Sequence, residues 1–384
     1  MSLPKVRIGY SNKNLLAAVA AIDGIAGLVG TVATAGLIGV PKQVFSLADA
    51  ESKGFTQAAE PTFHRHLKEF YDEIGGEQEL WIMGVAETMT MTQVLTSTEL
   101  EGAIKLVKAA NGAIRMLGTF RKPQAGYDAG ADFLDADVED AILAAKAFCE
   151  GRLAELIPLR VLIEGRVADE DSITVFKPST ASNGFAGVVL GGTLADGSAS
   201  VGLVIGRACK YAAHIKLGKV KNGPLTIAEA FIGTKKVSEL DSLATLHGYG
   251  FISFMKHPNK AGIYIGIDRM ASTDDFRILA HGRVIDKAAV LAAAIYIEEL
   301  ESEVDVNADG QINELDIEHL KGGIMQTINQ EMDGQISKNG VTVLIDPKQN
   351  IISTGKLKVK VKIRPKGYTS EIDVELGLDA PSAE

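Results

Sequence analysis

The sequence predicts an α/β domain with a largely parallel sheet followed by a C-terminal α+β portion, and three observations carry that expectation. Helical spacing alternates with short apolar runs from residue 49 to residue 163, the order that lays helices over a parallel sheet. With 384 residues the chain exceeds what one core holds, because single cores stop growing at about 250–300 residues. From residue 356 onward the pattern becomes a two-residue alternation, the mark of half-buried strands.

Hydrophobic residues make up 46% and charged residues 23%, which excludes a disordered tail protein or a collagen-like repeat. The net charge is -10, and no Lys/Arg cluster is long enough to follow a phosphate backbone, so nucleic acid is a poor partner. Cys149 and Cys209 stand in unrelated contexts and build neither a disulfide framework nor a metal site. Residues 15–40 are apolar enough in length to span a bilayer, but Asp23 near the middle adds about 2.5–3.5 kcal/mol to insertion. Lys5, Arg7 and Lys13 ahead of it, with the A-x-A-like Ala33-Thr34-Ala35 within it, have the outline of a signal peptide that Asp23 again interrupts. The stretch is expected as buried strand and loop of a soluble domain, without direct membrane insertion.

Lys5, Val6, Arg7 and Ile8 alternate like a short strand until Gly9 breaks the pattern. Residues 49–75 turn helical, with Phe63, Leu67, Phe70, Tyr71 and Ile74 on one face, Pro61 at the start and Gly75-Gly76 as the stop. Residues 79–85 read as a buried strand. Helix 97–111 leads to strand 113–119, and helix 137–156 leads to strand 159–163. The glycine-rich stretch 184–207 matches neither GxGxxG nor a phosphate loop and is expected as strand, turn, strand. Two core strands at 251–254 and 263–267 follow, then the Ala, Leu and Glu-rich helix 286–303 and a helix over 314–330.

In residues 356–364, Leu357, Val359, Val361 and Ile363 fall on one face, and Lys356, Lys358, Lys360, Lys362 and Arg364 on the other. Residues 371–376 repeat the period with opposite charge: Glu371, Asp373 and Glu375 alternate with Ile372, Val374 and Leu376. An antiparallel pairing of the two sets Val361 against Val374 and Val359 against Leu376, with Lys362 facing Asp373 and Lys360 facing Glu375. Within one chain that is a hairpin; between chains it is a linkage.

Chemistry-bearing patterns are sparse. No GxSxG occurs. His64 and His66 lie two apart on a helix, point to different faces and are expected near its surface or N-terminus. The acidic run of Asp128, Asp132, Asp135, Asp137, Glu139 and Asp140 is expected to cap the helix that follows rather than to hold a metal. Glu164-Gly165-Arg166 follows a strand where α/β enzymes keep catalytic groups, without a visible partner. The one specific motif is DVNADGQINELD at 305–316. Asp305, Asn307, Asp309, Gln311 and Asp316 stand at positions one, three, five, seven and twelve of an EF-hand loop, with Gly310 at six, which predicts one structural Ca²⁺. Asp at twelve makes it similar to the calcium loop of dockerin modules, although those use two copies.

Taken in order, several segments resemble the tail sheath proteins of contractile phage tails and phage-tail-like particles. Residues 36–51 followed by a helix and Gly75-Gly76-Glu77-Gln78-Glu79-Leu80-Trp81-Ile82 are similar to the sheath start. Residues 279–292 resemble the point where the inner domain begins its long helix. Residues 339–363, then Arg364-Pro365-Lys366-Gly367-Tyr368 and 371–378, are similar to the sheath carboxyl terminus. The calcium-type loop departs from that pattern. The resemblance implies an N-terminal arm (1–22), an outer α/β domain (23–265), an inner C-terminal α+β domain (266–370) and a C-terminal arm (371–384), with terminal strands exchanged between subunits. It implies a structural, non-enzymatic subunit that polymerises in stacked hexameric rings around a tail tube protein and drives the tube by contraction. Its partners would be itself, the tube, and baseplate and tail terminator proteins, in a virion tail or tail-like particle assembled in the bacterial host cytoplasm. The alternatives are a calcium-stabilised extracellular scaffold or adhesion module, and an α/β enzyme with its site near Glu164 or the 184–207 loops.

Overall fold

The computed structural model describes residues 24–97, 101–124, 126–127, 129–130, 132–172 and 176–376. The proposed N-terminal strand with Lys5, Val6, Arg7 and Ile8 lies outside them, as does Asp128 of the acidic run.

β1 (Ala26–Val32) is buried throughout, as the apolar stretch requires. β2 (Lys42–Val44) and α1 (Leu47–Ser52) follow, with the Ser46 side chain accepting from the Asp49 amide to cap the helix. α2 (Pro61–Ile74) starts at Pro61 and stops at Gly75, whose φ of 77° provides a left-handed C-cap. β3 (Leu80–Ala86) is the expected strand. The helix expected over 97–111 shortens to α4 (Ala103–Ala109), and a short helix that the sequence did not predict, α3 (Met91–Thr96), precedes it. A capping box between Thr90 and Gln93 starts α3, a signal that apolar spacing alone passes over. β4 (Met116–Phe120), α5 (Ala136–Ala154) and β5 (Arg160–Gly165) fall where predicted.

The glycine-rich stretch departs from expectation. Its first half is β6 (Ala186–Leu190), but its second half enters α6 (Val201–Lys210) rather than another strand. The reason is tertiary. A Cβ at Gly202 would collide with the His66 carbonyl, and one at Gly206 would lie 2.8 Å from the Phe70 oxygen. These glycines let α6 press its backbone against α2, and that contact outweighs their poor helix propensity. After α6 come the short hairpin β7 (Phe231–Ile232) and β8 (Lys235–Lys236), α7 (Leu243–Tyr249), β9 (Ile252–Met255) and β10 (Tyr264–Ile265).

Eight strands form one sheet in the order β10-β9-β6-β5-β4-β1-β3-β2. The six inner strands are mutually parallel, and only the edge strands β2 and β10 run antiparallel to their neighbours. The faces are read from register: Leu28 lies opposite Gly118, over which Val201 and Ile205 of α6 pack, while Gly27 sits under Leu106 of α4. Helices on both faces explain why the strands are apolar without alternation.

The C-terminal portion consists of α8 (Leu279–Glu298), α9 (Glu314–Glu331), β11 (Ile336–Ile345), α10 (Ile351–Thr354) and β12 (Val359–Pro365). α8 begins at Leu279 rather than at Asp286. This portion has its own core, built from Val284, Ala288, Leu291, Ile317, Ile324, Ile328, Val341, Val343 and Ile345 among others, separate from the large core around the sheet. α8 joins the two: Leu279 belongs to the first core and Leu291 to the second. At the junction the buried Arg160 guanidinium of β5 meets the Asp286 carboxylate through two contacts of 2.6 Å. No helix among the described residues is long and apolar enough to cross a membrane.

Candidate assembly interface

β12 does not pair with residues 371–376. It pairs antiparallel with β11, Val343 opposite Val361 and Ile345 opposite Val359, so the residues expected to face Val374 and Leu376 face β11 within the same chain. The two-residue period holds, and within the chain β12 takes β11 on one edge, because β11 offers the same apolar face with the helices α8 and α9 behind it. Val359, Val361 and Ile363 rest on that second core, while Lys358, Lys360, Lys362 and Arg364 are exposed on the other face. The sheet has only these two strands, so the outer edge of β12 carries no strand partner among the described residues.

Residues 371–376 form no regular structure and lie open. Ile372 is 76% exposed, Val374 72% and Leu376 91%. The chain thus carries both an alternating apolar segment left in water and an apolar-backed strand with an unpaired edge, the combination that strand addition satisfies. The charges are complementary too, Glu371, Asp373 and Glu375 on one and Lys358, Lys360 and Lys362 on the other.

The 305–316 loop is a tight turn into α9. Gly310 takes a φ of 72°, the Asn307 amide donates to the Gln311 carbonyl at 2.7 Å, and Asn313 caps α9. The Asp316 carboxylate accepts the Asp305 amide at 2.9 Å, and Asp305, Asn307 and Asp309 are exposed. Among the described residues no group of three or more His, Cys, Asp or Glu side chains is gathered around a metal position.

The other candidates serve structure. Glu164 is fully buried, and its oxygens accept the amides of Arg121 at 2.9 Å and Ala199 at 3.2 Å. Burial raises its pKa, opposed by the Arg166 charge and those amides. Asp135 caps α5 by accepting from the Asp137 amide and pairs with Arg121 at 3.3 Å, while Asp137 accepts the Met91 and Thr92 amides at the start of α3. Asp135 thus caps the helix that follows it, as expected of the run, whereas Asp137 serves α3 instead. The histidines are not at the surface: His64 is 6% exposed and bonded to Glu51, and His66 is fully buried against Phe120. They face different neighbours and share no site. Open grooves of about 410 and 640 Å³ lie elsewhere, the first between α2 and residues 226–231, the second around Lys256 and Leu240.

A family model described as the DUF2586 N-terminal domain matches residues 3–269, and one described as the DUF2586 C-terminal domain matches residues 275–383. The chain belongs to the DUF2586 family. Comparison with curated proteins gave no match for this DUF2586 chain. Among solved structures it is similar to the helical sheath of the anti-feeding prophage in its contracted state, with a TM-score of 0.64 at 15% identity, covering 99% of this chain and 100% of that one. It is also similar to a chain of the six-fold symmetrised baseplate of the same particle (TM-score 0.61, 14% identity, 99% and 100% covered). A third likeness is to the PVC sheath complex of an extracellular contractile injection system, in its contracted state (TM-score 0.58, 14% identity, 99% and 98% covered). The DUF2586 chain thus has the fold of contractile sheath proteins over essentially its whole length, and the resemblance drawn from its motifs holds. The structures it resembles are sheath and baseplate assemblies, not enzymes.

Proposed function

We propose that this DUF2586 chain is a structural subunit of a contractile tail sheath, polymerising as stacked hexameric rings around a tail tube and driving the tube by contraction. The observation that carries this reading is the pairing of an unpartnered β12 edge with an exposed, alternating segment at 371–376, on a fold shared end to end with sheath chains. Residues 371–376 of one copy add to the β12 edge of the next, Ile372, Val374 and Leu376 extending the second core and Asp373 and Glu375 meeting Lys362 and Lys360. Each added main-chain hydrogen bond contributes about 0.5–1.5 kcal/mol net. Residues 5–8 supply a second exchanged strand. Tube, baseplate and terminator proteins are the remaining partners, and the particle is assembled in the host cytoplasm. The six-fold symmetry named for the baseplate relative supports the ring number.

Electron microscopy of the concentrated full-length chain tests this: rings, tubes or polysheath are expected, and a chain lacking 371–384 stays monomeric. A full-length chain that remains monomeric under all conditions tried defeats the reading. The 305–316 loop takes one Ca²⁺ in the same reading, supported by the order of its oxygen donors and by Gly310. Calcium is expected to raise the thermal midpoint and chelation to reverse it, with Asp305→Ala abolishing the difference; a midpoint indifferent to calcium removes the metal from the proposal.

A further inference from the structure

The turn at 365–368 connects β12 to the exposed segment, and its last residue reaches back across the molecule. Tyr368 donates from its hydroxyl to the His214 carbonyl at 2.5 Å. Lys216 Nζ lies 5.6 Å from the centre of the Tyr368 ring, and the His281 ring packs against it at 5.4 Å. His214 and Lys216 stand in the loop after α6, and Lys216 is held in turn by Asp268, 3.5 Å away and buried beyond the end of the large sheet. On the hairpin side, Ser337 of β11 donates to the Pro365 carbonyl at 2.7 Å. The half-buried phenol is pushed up to about 12 by loss of solvent, so it stays a donor at every ordinary pH.

One side chain thus ties the point where the C-terminal segment departs to the loop after α6, whose Leu217 packs in the large core and Ala213 in the second, and not to the hairpin that precedes it. Three residues further on, the chain is exposed and unpaired. We propose that Tyr368 is a latch that fixes the root of the C-terminal segment to the parallel-sheet unit, so that a neighbour gripping residues 371–376 moves that whole unit rather than peeling β12 from β11. The mechanical consequence rests on the strand-addition reading, whereas the latch itself is a property of the single subunit. Tyr368 acts as a positioning residue: it need not touch the neighbour.

Trypsin reads the latch directly. Lys366 is followed by Gly367, no Lys or Arg occurs after it, and Arg364 is protected by Pro365, so release of residues 367–384 reports cleavage at one bond. Native-state cleavage follows the population of the locally open form when opening is fast. Tyr368→Phe, which keeps the ring and loses the hydrogen bond, is expected to speed cleavage roughly 2- to 10-fold, and Tyr368→Ala by more than about 10-fold. The thermal midpoint of the full chain should stay unchanged in the Phe variant. Equal cleavage rates in wild type and both variants overturn the latch. So does a thermal midpoint that falls in proportion to the cleavage rate even for Phe, because Tyr368 is then ordinary packing. In the assembled state the Ala variant still forms tubes through residues 371–376, but with the long-range order of the tube lost. Wild-type chains that never assemble sink the strand-addition reading and leave the cleavage result standing; well-ordered tubes with unchanged cleavage sink the latch alone.

Discussion

His66 lies in the middle of α2 with no exposure, its ring stacked on Phe120 at 3.7 Å and its Nδ1 accepting the Gly202 amide at 3.3 Å. Burial, helped by the Arg65 charge, holds its pKa well below the ordinary histidine value. The unfolded chain takes up this proton near pH 6.5 and the folded chain does not, so the contribution of neutral His66 is fully present above about pH 6.5. It is lost as pH falls below that value, at up to about 1.4 kcal/mol per pH unit. Denaturant midpoints measured from pH 7.5 to 5 should therefore fall more steeply for wild type than for His66→Phe, and parallel curves would count against this account. Residue identity predicted Asp135 well, because its capping depends on chain neighbours, but not the contact of Asp137 with the distant start of α3. It did not predict burial of His64 and His66, since that depends on what folds over α2: Glu51 on one side and α6 on the other.

The contact between α2 and α6 turns on glycine, and a matched pair of substitutions separates its two uses. Gly202→Ala forces a methyl into the His66 backbone and is expected to cost about 3 kcal/mol, since α6 has to lift from α2. Gly322→Ala in α9 meets nothing within 4 Å and should instead stabilise by about 0.4–1 kcal/mol. Urea unfolding of both variants checks the pair, and equal effects would show that the α2–α6 contact is looser than described. The same contact explains the misread second half of the glycine-rich stretch: propensity alone argues against a helix there, and packing overrides it. At β12 the alternating pattern was legible and the partner within the chain was not, because β11 and 371–376 are both apolar on every second residue, and only a third layer, α8 with α9, places β11 there.

The described residues build two cores and a long helix, α8, that belongs to both. Arg160 and Asp286 weld the sheet to α8, with Arg160 also donating to the Gly184 carbonyl at 2.7 Å. Removing one partner of a buried pair leaves an uncompensated charge, so Asp286→Ala is expected to lower stability by about 3–5 kcal/mol. Calorimetry of that variant should show two separated transitions in place of one, as the C-terminal portion loses its hold on the sheet. A single transition at the wild-type temperature would mean that the weld contributes little. In the proposed sheath role, such a junction and the proposed Tyr368 latch would serve the same end: the two portions travel together.

The alternation of helices with apolar strands, the caps at Asp135 and Gly75, the acid-base complementarity of 358–362 with 371–376 and the ordered motifs of a sheath chain were all present in the sequence itself. These are local or ordinal properties, set by neighbours along the chain. Strand order, the pairing of β12 with β11, the helical fate of residues 201–210, the burial of Glu164 and the anchoring of Tyr368 on His214 were decided only in three dimensions. Each is a contact between segments far apart in sequence that compete for the same apolar face or the same backbone groups, and such a competition is settled by packing.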